Sequence, residues 1–126
     1  MSYNIRISML QQKLGTLNLE GMYITNLTNV RYLTGFTGSA GSLLVLEGEQ
    51  HFFTDGRYIE QSKSQVKDCK IHIVGSAHYQ AIKEKKILPK DIKIGIEANF
   101  VSIGMYGHIQ EALPDVAWEK LDDIIG

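Results

Sequence analysis

The sequence predicts an α/β domain with a mixed β-sheet of about six strands and helices on both faces. Segments with the spacing of amphipathic helices alternate with short apolar runs along the chain. One run, residues 43–46, is apolar at every position, which is typical of a strand that is covered on both sides. The 126 residues contain no internal repeat and no linker before their end, so we expect one domain.

Five helices are predicted from apolar spacing and from residues that favour helix ends. Asp55, Ser76 and Ser102 are of the types that cap helix N-termini, and Pro89 and Pro114 end two of the segments. The predicted helices are residues 4–14, 26–33, 57–67, 76–86 and 103–113. Their predicted inward residues are Ile5, Met9, Leu10, Leu14, Leu27, Val30, Leu33, Tyr58, Ile59, Val66, Tyr79, Ile82, Met105, Ile109 and Leu113.

Six short runs bounded by turn residues are predicted as strands. The polar sequence EGEQ at residues 47–50 separates two of them, so these two should pair as an antiparallel hairpin. The predicted strands are residues 22–25, 43–46, 51–54, 70–74, 93–97 and 116–118.

The stretch from residue 29 to residue 58 contains the most unusual residues. Its loop, GFTGSAGS, has glycine at every third position, where the absence of a side chain lets another group approach the backbone. Arg31 and Arg57 flank the hairpin, and arginine suits two-pronged pairing with a carboxylate. We therefore interpret Asp55 as a helix N-cap and the partner of Arg31 or Arg57, with a catalytic role as the alternative. Phe36 is either a core residue or an exposed contact.

Composition and charge exclude several classes of function. The net charge is −1, from 13 basic and 14 acidic residues, so we expect no nucleic-acid partner. There is no signal peptide and no long apolar run, which predicts a cytoplasmic protein without a membrane partner. The single cysteine, Cys69, cannot form an internal disulfide and is expected to be a buried, unreactive thiol.

No motif for a catalytic centre is present in the sequence. The four histidines lack paired metal-binding spacing, neither HExxH nor CxxC occurs, and His72 is expected at the surface. The glycine loop is neither a nucleophile elbow nor a phosphate-binding loop, so Ser39 and Ser42 are expected to be turn residues. Asp55 and Glu97, predicted on neighbouring strands, lack the further acidic partners of a nuclease site.

Two motifs resemble those of a known family. ITNLTNVRYLTGFTGSAGSLLV, followed by FFTDGRYIEQ, resembles the N-terminal domain of the Xaa-Pro peptidases, the aminopeptidase P and prolidase branch of the creatinase superfamily. The matching positions are Asn29, Val30, Arg31, Tyr32, Leu33, Thr34, Gly35, Phe36, Gly38, Ser39, Ala40, Gly41, Phe53, Thr54, Asp55, Gly56, Arg57 and Tyr58. The resemblance covers essentially the whole chain, since residues 94–97 also look like the family's later strand. It implies a ribonuclease H-like fold and structural roles for Arg31, Tyr32, Asp55, Arg57 and Tyr58.

The resemblance implies that residues 1–126 form a non-catalytic N-terminal domain, and that the C-terminal "pita-bread" metallopeptidase domain is absent from this chain. In the family that catalytic domain binds two divalent metal ions, usually manganese or cobalt, and hydrolyses the bond before proline in short peptides. No cofactor, metal ligand or catalytic residue is therefore assigned here. The expected partners are the chain's own catalytic domain and further copies, in a homodimer or higher homo-oligomer.

The resemblance also implies a role for the glycine loop. In the family, a loop of this domain lies near the active site of the partner subunit and restricts access to short peptides. We carry this role over to a lip loop composed of Gly35, Phe36, Thr37, Gly38, Ser39, Ala40 and Gly41. A wall across a cleft limits substrate length without taking part in the chemistry.

Two other hypotheses stay open at this point. One is a stand-alone binding or interaction module of the same fold without peptidase activity. The other is an independent hydrolase or nuclease that uses Asp55, Glu97 or Ser39. The sequence does not separate a dipeptidase from an aminopeptidase, because both share this N-terminal pattern.

Overall fold

Five α-helices and six strands follow one another along residues 2–125, the part of the chain that the computed structural model describes. The helices are α1 (Tyr3–Thr16), α2 (Leu27–Thr34), α3 (Ile59–Gln65), α4 (His78–Glu84) and α5 (Ile103–Ala112), and a 3-10 turn (Gly56–Tyr58) precedes α3. The strands are β1 (Gly21–Ile24), β2 (Ser42–Leu46), β3 (Gln50–Thr54), β4 (Lys70–Ile73), β5 (Lys93–Glu97) and β6 (Ala117–Leu121). None of these helices has the length and apolar character needed to cross a membrane.

The six strands form one mixed sheet in the order β4-β3-β2-β1-β5-β6. The β2–β3 hairpin and the β1–β2 pair are antiparallel, whereas the three remaining pairs are parallel. The predicted fold class is confirmed. The predicted adjacency of the Asp55 and Glu97 strands is wrong, because β2 and β1 lie between β3 and β5. Chain order alone did not reveal that the hairpin and β1 occupy the centre of the sheet.

Apolar side chains are buried on both faces of this sheet. Leu43 and Val45 of β2 lie in the core beneath α1 and α2, and Leu44 lies in the second core beneath α4 and α5. The continuous apolar run at residues 43–46 therefore marks a central strand that is covered on both sides, as expected.

Several predicted inward residues of the helices are exposed. In α1, Ile5 and Met9 are 51% and 45% exposed, while Ile7, Leu10 and Leu14 are buried. Apolar residues occupy two sides of α1, so helical spacing did not identify the buried side. Ile59 and Met105 are likewise exposed.

The helix caps only partly match the predicted ones. Ser102 caps α5 by accepting a hydrogen bond from the Met105 amide at 3.0 Å, as predicted. Asp55 instead caps the short 3-10 turn, so α3 begins at Ile59 and is shorter than predicted. Ser76 does not cap α4, because the cap position is occupied by Ala77, which has no side-chain acceptor.

Candidate functional site

The lip loop begins where α2 ends. Asn26 caps the start of α2, and Gly35 follows its last turn with φ +81°, in the left-handed region that favours glycine. The Gly35 amide donates a hydrogen bond to the Arg31 carbonyl at 2.8 Å. A Cβ at this position would lie 2.9 Å from the ring of Tyr3. The conformation and the crowding both require glycine at this point.

Phe36 lies beneath the lip loop and not on its surface. The side chain is 1% exposed and contacts Phe52 and Tyr58 edge-to-face, with ring centroids 4.8 Å and 5.5 Å away. A Cβ on Gly38 or Gly41 would come within 2.4 Å or 3.0 Å of the Phe36 ring. The loop backbone therefore lies directly against this ring, and of the two interpretations of Phe36, the structure supports the core residue.

Thr37 is exposed at the outer side of the loop and contacts the beginning and end of α3. Its amide donates to Gln65 Oε1 at 2.9 Å. Its hydroxyl oxygen accepts from Gln61 Nε2 at 3.0 Å and from Gln65 Nε2 at 2.9 Å. These bonds join Thr37 of the lip loop to side chains of α3 that lie 24 and 28 positions later in the sequence.

The second half of the loop is held by a tyrosine and a threonine. The Ser39 amide donates to the Tyr58 hydroxyl at 3.1 Å, and the two hydroxyl oxygens lie 2.6 Å apart. These bonds to Ser39 lower the pKa of Tyr58. The Thr54 hydroxyl donates to the Ala40 carbonyl at 2.6 Å. The lip loop is thus fixed by its own buried ring and by polar contacts on both sides.

Asp55 pairs with Arg57, and not with Arg31. Arg57 donates to both carboxylate oxygens, from Nε at 3.0 Å and from Nη2 at 2.8 Å. Arg57 is exposed and Asp55 partly exposed, and the hydrogen bonds from Arg57 hold the pKa of Asp55 below the ordinary value. The Arg31 side chain makes no hydrogen bond or ion pair with residues 2–125. Tyr32 instead stacks with Arg6, whose guanidinium carbon lies 4.4 Å from the ring centroid.

Glu97, at the end of β5, is a buried carboxylate, and both of its oxygens accept hydrogen bonds. Its Oε1 accepts from the amides of Thr25 and Asn26 at 2.7 Å and 3.0 Å, and its Oε2 accepts from Asn29 Nδ2 at 2.7 Å. The side chain joins β5 to the start of α2 through neighbours some seventy residues away. The sequence alone suggests Glu97 only as a candidate carboxylate of a hydrolase or nuclease. Its oxygens are occupied by structural contacts.

Three histidines lie in a row on the side of the sheet that carries Phe53 and faces α4 and α5. His51 Nδ1 is 2.9 Å from His72 Nε2, and Phe53 stacks between His72 and His78 at centroid distances of 4.9 Å and 6.4 Å. Burial lowers the pKa of each of the three. His72, which was predicted at the surface, is partly buried on the edge strand β4, because parallel pairing of β3 and β4 aligns it with Phe53.

The structure does not assemble a catalytic set from the residues that were considered for one. Within residues 2–125 the Ser39 hydroxyl is bonded to Tyr58 and to no histidine or carboxylate. Asp55 follows β3 and Glu97 ends β5, and two strands lie between β3 and β5. Burial raises the pKa of the Cys69 thiol to about 12, which keeps it protonated. No three His, Cys, Asp or Glu side chains within residues 2–125 are grouped to hold a metal ion. What the site offers is a shaped surface that is held by packing and hydrogen bonds.

A cleft of about 320 Å³ opens beside the inner edge of the lip loop. It lies between the loop, the start of α4 and the side of α5 that carries Met105. Its lining includes Ser39, Gly41, Ser42, His78, Tyr79 and Met105. Clefts that combine an apolar lining with a few polar groups are the usual form of ligand sites.

Known proteins are similar to this chain in sequence and fold. The family model described as the Creatinase/Prolidase N-terminal domain matches residues 6–126. The uncharacterized peptidase YqhT of Bacillus subtilis is 36% identical over 111 residues, which are 88% of this chain and 31% of that protein. The chain therefore spans about a third of that curated relative.

Two solved structures have the same architecture. The N-terminal domain of the cytoplasmic peptidase PepQ from Mycobacterium tuberculosis H37Rv superposes with a TM-score of 0.77 at 31% identity, covering 94% of this chain and 92% of that one. The Xaa-Pro dipeptidase from Bacillus anthracis superposes with a TM-score of 0.87 at 25% identity, covering 96% of this chain and 34% of that one. The chain therefore belongs to the creatinase/prolidase N-terminal domain family, the N-terminal domain of Xaa-Pro peptidases.

Proposed function

We propose that this domain serves a cytoplasmic, metal-dependent Xaa-Pro dipeptidase or aminopeptidase as its non-catalytic N-terminal part. In this proposal the catalytic domain binds two divalent metal ions, manganese or cobalt, and cleaves the bond before proline in short peptides. The N-terminal domain contributes to assembly of a homodimer or higher homo-oligomer. Its lip loop forms part of the wall of an active site and restricts the length of the peptide.

The observation that carries this proposal is that buried packing and hydrogen bonds hold the lip loop on both sides. Phe36 is buried under the loop, Thr37 is bonded to α3, and Ser39 is bonded to Tyr58. A wall that selects peptides by length must keep its shape when a longer peptide presses against it. The exposed parts of Thr37 and Ser39 are then the surface presented to the substrate.

A chimera tests the proposal. This chain replaces the N-terminal domain of the Bacillus anthracis Xaa-Pro dipeptidase, whose fold it matches over 96% of its length. We expect the chimera to hydrolyse an Xaa-Pro dipeptide in the presence of manganese, and the 126-residue chain alone to show no turnover. Turnover by the repurified chain alone would contradict the non-catalytic role. A folded but inactive chimera would favour the stand-alone module.

Substitutions within the active chimera test the lip loop. Thr37→Trp should lower kcat/KM for a tripeptide by roughly tenfold and change it little for a dipeptide, because a bulkier wall excludes the longer chain. Glu47→Trp is the matched control, since Glu47 is also exposed but lies at the opposite end of β2. Equal effects of Thr37→Trp on both peptides would contradict the length-selecting wall.

A further inference from the structure

A chain of hydroxyl groups leads from the interior of the sheet to the cleft beside the lip loop. Tyr23 is 1% exposed, and its hydroxyl donates to Ser42 Oγ at 3.2 Å. Ser42 is also buried, and its Oγ lies 2.8 Å from His78 Nδ1. His78 lines the cleft. The three side chains come from β1, β2 and the start of α4.

The direction of these hydrogen bonds follows from the number of available hydrogens. Burial raises the pKa of Tyr23, so its hydroxyl stays protonated, and Ser42 Oγ is its acceptor. The Ser42 hydroxyl has one hydrogen of its own, which then goes to His78 Nδ1. The reverse direction would leave the buried Tyr23 hydrogen without an acceptor, which is costly. If Ser42 Oγ instead accepted from both neighbours, its own buried hydrogen would have no acceptor among residues 2–125, at a similar cost.

His78 therefore has a defined tautomer and a defined orientation. A neutral imidazole whose Nδ1 accepts a hydrogen bond has its proton on Nε2. Burial lowers the pKa of His78, which favours this neutral form at neutral pH. The ring is also stacked on Phe53 with an interplanar angle of 24°. His78 Nε2 makes no hydrogen bond with any of residues 2–125, so its N–H is an unused donor.

We propose that the His78 Nε2–H group binds a carbonyl or carboxylate oxygen of a short peptide in this cleft, with Tyr23 and Ser42 as positioning residues. Tyr79 and Met105 line the same cleft and offer apolar contact to a side chain of the peptide. The choice of a peptide as ligand rests on the proposed function, in which the neighbouring lip loop faces substrate. The proposed site holds the ligand by one directed hydrogen bond.

The tautomer is the first test and does not depend on the enzyme. Long-range proton–nitrogen correlation spectra of the ¹⁵N-labelled chain at pH 7.5 should show His78 protonated at Nε2 and unprotonated at Nδ1. Ser42→Ala removes the donor to Nδ1 and should give a mixture of tautomers, whereas the exposed His108 should be unchanged. A wild-type ring protonated at Nδ1 would overturn the proposal.

The second test is titration of the same chain with Ala-Pro and with Ala-Pro amide. We expect saturable shifts at His78 Nε2 and at the Met105 methyl group with both ligands if a carbonyl is bound. Shifts with Ala-Pro alone identify the carboxylate. His78→Phe keeps a stacking ring but removes the N–H, and should weaken binding roughly fivefold, while His108→Phe should leave it unchanged. Absence of saturable shifts with either ligand would overturn the proposal, whatever the chimera shows.

Discussion

Two carboxylates each accept hydrogen bonds at the start of a helical segment, and their surroundings differ. Glu97, from the end of β5, binds the start of α2, and Asp55 caps the 3-10 turn before α3. Glu97 is 6% exposed and accepts hydrogen bonds from three residues at the beginning of α2. Asp55 is partly exposed, with 29% of its side chain accessible, and pairs with the exposed Arg57, only two residues away. An exposed local ion pair contributes little to stability, whereas unsatisfied buried donors are costly. The less conspicuous acid in the sequence therefore has the larger structural role.

The neighbourhood of Asp55 has a different source of stability. The lip loop and the Asp55 turn are joined through the rings of Phe36 and Tyr58, which are packed edge-to-face. Hydrophobic contact between Phe36 and Tyr58 thus holds this region together, whereas hydrogen bonds to the Glu97 carboxylate hold the start of α2. Four substitutions, taken from the largest expected effect to the smallest, test this difference between the two regions.

Phe36→Ala should lower the free energy of unfolding by about 4 kcal/mol, because it leaves a cavity beneath the lip loop. Urea denaturation at pH 7 measures the change. Phe36→Leu is the control, since it keeps most of the apolar volume and should cost about 1 kcal/mol. A cost below about 1 kcal/mol for Phe36→Ala would mean that the loop does not depend on this ring.

Glu97→Ala should lower the free energy of unfolding by about 3 kcal/mol, because it leaves the amides of Thr25 and Asn26 without an acceptor. Glu97→Gln keeps one carbonyl oxygen for these amides and should cost distinctly less. Urea denaturation of both variants and of wild type measures these changes in the free energy of unfolding. If Glu97→Ala unfolds at the same urea concentration as wild type, the carboxylate is not what stabilises the start of α2.

Individual strands and the hairpin could be predicted from local patterns. The contacts of Glu97 and the contact between His51 and His72 could not. The apolar run at residues 43–46 and the EGEQ turn correctly indicated a central strand and a hairpin. The role of Glu97 depends on β5 lying beside β1, which chain order does not reveal. The His51–His72 contact likewise needs the β3–β4 pairing. The spacing of apolar residues indicates which side of one helix or strand is buried. It does not indicate which other strand or helix packs beside that element.

The lip loop shows how a sequence pattern can be recognised before its cause is known. Glycine at every third position indicated that something approaches the backbone, and the sequence did not say what. In the structure, that group is the ring of Phe36, which lies within the same loop and faces Gly38 and Gly41. The glycines therefore serve internal packing, which leaves Thr37 and Ser39 as the loop's outward side chains.

Asn29→Ala should lower the free energy of unfolding by about 1 kcal/mol, because it removes one of the donors to Glu97 and leaves the two backbone amides in place. Thr28→Ala is the matched control on the same helix turn, since the Thr28 side chain makes no hydrogen bond with residues 2–125. Combining Asn29→Ala with Glu97→Gln should cost less than the sum of the two single changes. Strict additivity would contradict a direct contact between the two side chains.

Asp55 should give the smallest effect, and two substitutions separate its two contacts. Asn at position 55 can still accept from the Arg57 amide but loses the ion pair, whereas Ala loses both contacts. We therefore expect Asp55→Asn to lower the thermal midpoint slightly at pH 7 and Asp55→Ala to lower it somewhat more.

The pH dependence gives the sign of the ion-pair contribution. The folded-state pKa of Asp55 lies below its unfolded value, so the pair stabilises the fold above a pH of about 4. That contribution is lost as the pH falls through the folded-state pKa. The difference between wild type and Asp55→Asn should therefore shrink in acid, and also in 1 M salt, which screens exposed charges. A difference that persisted under both conditions would have to come from a contact other than the Arg57 pair, and Asp55 would then resemble Glu97 more than its exposure indicates.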